Sequence, residues 1–245
     1  MWGMRRGMQS EREARAFVWL LDRACELCAL VWLGAVMGPV VLAPGDVAAQ
    51  ESFLSVEETE VLVRARYFEG MPMDEAARIG PEGCERLVEM LSDSTDSGAH
   101  GQVLLAIGAC GPDGGLEALD AWAAGLPEGE VDRATFRAWM ALPRALSHLA
   151  EHDRRAMGRL GERLAAAEAP LISHKRHRGA KMLNLKRRGA ATALAESGRD
   201  AARRHLDRAL RRSSDGRLDA HLAEARSRHA DRAAARRARR GEGAR

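Results

Sequence analysis

Between residues 175 and 188 the chain carries seven cations and no acid: Lys175, Arg176, Arg178, Lys181, Lys186, Arg187 and Arg188. Such a run can hold phosphate, anionic lipid or an acidic polysaccharide through charge and multiple N–H donors. Nucleic acid is disfavoured, because few aromatic side chains stand nearby to stack on bases. The competing reading is a solvated basic face, with the acidic first half of the same molecule as its counter-surface. His148 and His152 are four apart with Glu151 between them, a spacing that suits metal ligation on one helical face if the helix continues. No third ligand follows at a suitable spacing. His174 and His177 sit among cations, which disfavour a bound metal.

The remaining motifs lack parts that their chemistry requires. "GACGPDGG" (108–115) is glycine-rich but has no Gly-Lys-Ser/Thr ending, so it reads as a helix-to-helix turn rather than a phosphate loop. "SDSTDSG" (92–98) has neither the alternating oxygens nor the distal glutamate of a calcium loop. No Gly-x-Ser-x-Gly elbow occurs. No catalytic residue, metal or cofactor is expected. Of the four cysteines, Cys25 and Cys28 fall in an apolar N-terminal stretch without further ligands. Cys84 and Cys110 are expected as separate buried side chains on helices, a disulfide being the alternative in an oxidising compartment.

The elements that must carry these residues are helices. Hydrophobic residues make up 46% of the chain but aromatics only 4%, and alanine supplies much of the difference, which favours closely packed helices over sheets. At the start, Arg5, Arg6, Arg12 and Arg15 precede the apolar run "ALVWLGAVMGPVVLA" (29–43), and Val47 and Ala49 then form a small-residue cleavage pattern. Residues 1–49 are expected to be a signal peptide and the protein to be exported, periplasmic or secreted. An uncleaved membrane anchor is the alternative, although the run is shorter than the roughly 20 residues that span a bilayer. Charge is unevenly spread: residues 50–174 hold 11 Lys/Arg against 22 Asp/Glu, whereas residues 175–245 hold 22 against 8.

Two segments 87 positions apart align without a gap: "AIGACGPDGGLEALDAW" (106–122) and "ALAESGRDAARRHLDRA" (193–209). Ala106 meets Ala193, Ile107 meets Leu194, Gly111 meets Gly198, Asp113 meets Asp200, and Leu119-Asp120 meets Leu206-Asp207. Each glycine falls where a helix end needs a left-handed residue, and each aspartate where the next helix needs an N-terminal acceptor. Looser copies occupy 79–91 and 143–164, with Pro143 expected to kink or break the helix that Asp132 caps. A last helix over 217–240 should bury Leu218, Leu222 and Ala225, with its final residues frayed.

The segments "RRGAATALAESGRDAARRHLDRAL" and "HGQVLLAIGACGPDGGLEALDAWAAG" resemble HEAT-like repeats, in particular the short, alanine-rich kind of phycobilisome-lyase-type families. The resemblance covers roughly residues 74–213. It implies an all-α fold, a short α-solenoid of antiparallel helix pairs, with a repeat domain over 50–225 and an Arg/Ala-rich tail over 226–245. Some HEAT-like proteins are di-iron hydroxylases built on His-Glu pairs, and this chain has no His-Glu dipeptide. The expected role is a non-catalytic scaffold with a protein partner. A lyase-like enzyme or accessory on the same repeats is the alternative, as is an anion- or envelope-binding module using the basic segment.

Overall fold

The structure, a computed structural model, describes residues 53–67 and 70–242. The expected signal peptide lies outside them. Among the described residues the protein is all-α, with ten α-helices: α1 (Val56–Arg64), α2 (Met73–Ala76), α3 (Pro81–Ser92), α4 (His100–Cys110), α5 (Gly115–Ala124), α6 (Arg133–Leu149), α7 (Arg155–Ala165), α8 (Ala180–Ser197), α9 (Asp200–Arg212) and α10 (Gly216–Glu242). Two strands of two residues each, β1 (Gly129–Glu130) and β2 (Ile172–Ser173), pair in parallel and tie together the loops before α6 and α8.

Local chemistry sets the helix starts. Ser55 and Glu58 form a reciprocal capping box on α1. Pro81 opens α3, and Asp132 accepts the Thr135 amide at 2.7 Å to open α6. The two aligned segments also share their turn geometry. Gly111 (φ 61°) and Gly198 (φ 59°) both end their helices in the left-handed region, where a Cβ would be strained. The aspartates that follow behave differently from expectation. Neither Asp113 nor Asp200 makes a capping hydrogen bond: α5 begins after Gly114, which is itself left-handed, and α9 begins directly at Asp200. The N-cap positions are instead held by Gly114 and Arg199, neither of which makes a side-chain capping bond, so neither aspartate stands where it could cap.

Packing follows chain order. The helices α4, α6, α8 and α10 lie one against the next, while α5, α7 and α9 pack on the helices that flank them in sequence. One core runs from Leu62 to Ala225, and positions 87 residues apart are buried alike: Val103 and Ala190, Leu104 and Ala191, Ile107 and Leu194, Leu119 and Leu206. The α4–α6 contact is close enough that a Cβ on Gly108 would overlap the Ala145 carbonyl. A smaller cluster of Val131, Trp139, Ile172 and Met182 fills the space under the paired strands.

Two expectations are corrected. Pro143 does not break its helix, because α6 runs unbroken through it. Its ring is buried facing Gly189 of α8, where even a Cβ would come within 3.3 Å of Cγ, so packing on both flanks offsets the lost backbone bond. Cys84 and Cys110 are not separate thiols but a disulfide with a Cα–Cα separation of 6.4 Å, since the first turn of α3 lies beside the last turn of α4. The last helix, expected over 217–240, is α10, and beyond Leu218, Leu222 and Ala225 its buried stripe extends to His229 and Ala233.

Truncating Leu119 or Leu206 to alanine should each destabilise the protein by about 2–5 kcal/mol in urea unfolding, because both side chains are fully enclosed. Values under ~1 kcal/mol would place these leucines outside the core. Replacing Cys84 and Cys110 together by serine should cost about 3 kcal/mol, the entropy of a freed loop with a sequence separation of 26. Dithiothreitol should reproduce that loss in the parent and leave the double variant unchanged.

Candidate anion-binding cavity

The seven cations of the basic segment do not form one patch. Lys175 and Arg176 stand exposed at the tip of a tight turn closed by backbone bonds between His174 and His177 (3.0 and 2.9 Å), with Lys175 itself left-handed at φ 51°. Arg178 pairs with Glu130 at 3.2 Å, and Lys181 is exposed in the first turn of α8. Lys186 is half-buried. Arg187 donates from Nε to the Ala166 carbonyl at 2.8 Å, at the end of α7. Arg188 is exposed, and its carbonyl lies 3.2 Å from His221 Nε2. A run that is contiguous in sequence is thus divided between a loop tip and separate faces of one helix.

The histidine pair is divided as well. α6 stops at Leu149, so His152 lies in the following turn, where its Nε2 sits 3.0 Å from the Ala109 carbonyl. His148 remains on the helix, its pKa lowered by burial and by the nearby Arg144. Among the described residues no three metal-ligating side chains converge.

Cations do converge elsewhere, around a cavity of about 470 Å³ where the α6–α7 turn, the α8–α9 turn and α10 meet. Arg154, Arg199, Arg204, Arg236 and Arg237 line it, with Asp200 at the start of α9. Glu151 is clamped by two of the five: Arg199 at 2.6 Å and Arg236 at 2.8 Å. Burial alone would raise the Glu151 carboxyl, but hydrogen bonds from Arg236 and Arg199 outweigh it and bring the pKa from 4.5 to about 2. Arg236 also donates to the Ser197 carbonyl at 3.0 Å, and His229 reaches the Arg199 carbonyl at 2.9 Å, so α10 is fastened to the end of α8. Arg154, Arg204 and Arg237 are exposed and form no ion pair among the described residues. Two adjoining cavities are likewise lined by arginine: one between α9 and α10 holds Arg203, Arg226 and Arg237, and one beside α7 holds Arg187, Arg208 and Arg212.

Guanidinium forks suit carboxylates and phosphates because two parallel N–H groups meet two oxygens. Glu151 shows that this group of arginines already holds a carboxylate. None of the five could be picked out from sequence spacing, since they come from the α6–α7 turn, the α8–α9 region and the far end of α10. For Arg199, Arg204, Arg236 and Arg237 the only signal was the excess of cations after residue 175, and for Arg154 there was none. No family model, curated protein or solved structure matches this chain.

Glu151→Gln should lower stability at neutral pH by no more than about 1 kcal/mol, because the pair is partly exposed and solvent-screened. The folded-state pKa is depressed, so this contribution is complete above the ordinary carboxyl value of 4.5 and is lost as pH falls towards about 2. Thermal melts of the two proteins should therefore differ at pH 7 and coincide near pH 2. An equal gap at both ends would show that the carboxylate's charge is not what matters.

Proposed function

We propose that this chain is a non-catalytic binding scaffold of HEAT-like repeats, a short α-solenoid of antiparallel helix pairs, which takes an acidic segment of a protein partner on its arginine-lined C-terminal half. The matched left-handed turns at Gly111 and Gly198 and the orderly packing of α4, α6, α8 and α10 support the repeat reading. The observation that carries the binding role is the convergence of five arginines on one cavity, two of them already grasping a carboxylate. Export belongs to the same reading, and the Cys84–Cys110 bond supports an oxidising compartment. That bond also takes up both thiols on which a lyase-like reading of residues 50–245 would draw. Among the described residues no helix is long and apolar enough to cross a membrane.

The test is titration of the full chain with a fluorescent poly-glutamate peptide, alongside heparin and vesicles rich in phosphatidylglycerol. Binding of the peptide should weaken steeply with salt and fall about tenfold or more in the triple variant Arg154→Glu/Arg204→Glu/Arg237→Glu, whose helix content should not change. Equal binding by parent and variant would overturn the assignment. A clear preference for heparin or vesicles would replace the protein partner by a polysaccharide or an anionic envelope surface.

A further inference from the structure

A second cleft, of about 370 Å³, opens between α5, α6, α7 and α8 and shares no residue with the cavity beside Glu151. Leu142 and Leu146 form part of its lining, and its charged groups are Asp120, Arg159, Glu162, Arg163 and Lys186. Arg159 occupies both carboxylates, donating from Nε to Asp120 and from Nη1 to Glu162, each at 2.9 Å. Arg163 and Lys186 are left without an acid at ion-pair distance. The Arg163 guanidinium lies 5.7 Å from the centre of the Trp139 ring, and its Nε and Nη2 are closed off from solvent with no hydrogen-bond partner. Burial lowers its pKa from 12.5 to about 10, against the attraction of Asp120. Burial likewise lowers Lys186, and the charge of Arg163 adds to this, with Glu168 opposing.

Two cations that repel each other across a half-enclosed, leucine-backed cleft are a costly arrangement unless a counter-charge joins them. Trp139 offsets part of that cost through its ring face. We propose that this cleft binds a small oxyanion, a phosphate or carboxylate group, held jointly by Arg163 and Lys186. Lys186 supplies a mobile point charge and Arg163 a fixed planar one, a combination that places one oxygen group without a deep pocket. The aliphatic part of such a ligand would lie along Leu142 and Leu146. Asp120 and Glu162, neutralised by Arg159, do not repel it.

Calorimetric titration of the full chain with inorganic phosphate and with acetate, at matched ionic strength in chloride, tests this. Saturable heat accompanied by a change in tryptophan emission is expected, Trp139 lying against the Arg163 guanidinium. The anion that binds more tightly identifies the class, phosphoryl or carboxylate. Lys186→Met should weaken binding about tenfold, the loss of one charge-assisted hydrogen bond. Arg163→Met should abolish binding while melting no lower than the parent, because it removes a buried charge that lacks a partner. Absence of saturable heat with both anions, or an unchanged affinity in Lys186→Met, would overturn the proposal. The Lys186 variant decides the matter even if the Arg163 variant fails to fold.

Discussion

Close approach of helices with small side chains is the constraint on which this fold depends. Few aromatics are available to fill space, so the core is made dry by bringing backbones together. The centre of this is α6, which meets α4 where Gly108 faces Ala145 and meets α8 where Pro143 faces Gly189. Ser147 adds a hydrogen bond to the Ala193 carbonyl at 3.0 Å across the second of these contacts. A helix clasped in this way on two sides tolerates a proline that would break it in isolation. It also leaves little freedom for repacking, since a clash at Gly108 is with the Ala145 backbone and one at Gly189 is with the rigid Pro143 ring, neither of which can swing away.

Because neighbours in sequence are neighbours in space, the charge gradient along the chain becomes a gradient across the molecule. The acidic first half and basic second half meet where Arg178 pairs with Glu130 and where Arg199 and Arg236 pair with Glu151, while Arg155 to Glu117 and Arg159 to Asp120 tie α7 to α5 within the first half. Further along, Arg226 joins Asp207 between α10 and α9. Each is exposed enough to contribute little alone. Together they use the acids in reach, and α10 arrives with many arginines and few carboxylates left to meet them.

Local constraints were legible in the sequence. Gly111 and Gly198 could be read because a left-handed helix end is a demand on one residue, and their 87-residue spacing then fixed which leucines would be enclosed. The stripe Leu218, Leu222, Ala225 could be read because it repeats with the helical period. What escaped was set by partners distant in sequence. The survival of α6 past Pro143 depends on Gly189, the joining of Cys84 to Cys110 on how α3 lies along α4, and the arginine cavity on three segments meeting. The basic run from Lys175 misled for the converse reason: adjacency in sequence is not adjacency on a helix surface.

Glu151 and Arg163 show where the surplus of cations leads. Glu151 stands where arginines are plentiful and receives two of them, so its charge is held through most of the pH range. Arg163 lies where the nearby carboxylates are already taken by Arg159, and it is left with an aromatic ring and a shift towards neutrality that does not reach it at physiological pH. Within residues 175–245, 22 cations face 8 acids, so most can be matched only by carboxylates of residues 50–174, and only where the fold brings the two together. Those at the surface are satisfied by water, but a cation withdrawn between helices is not. The fold therefore leaves unmet positive charge in its clefts as well as on its surface, and anionic groups from outside the chain are the natural complement to both.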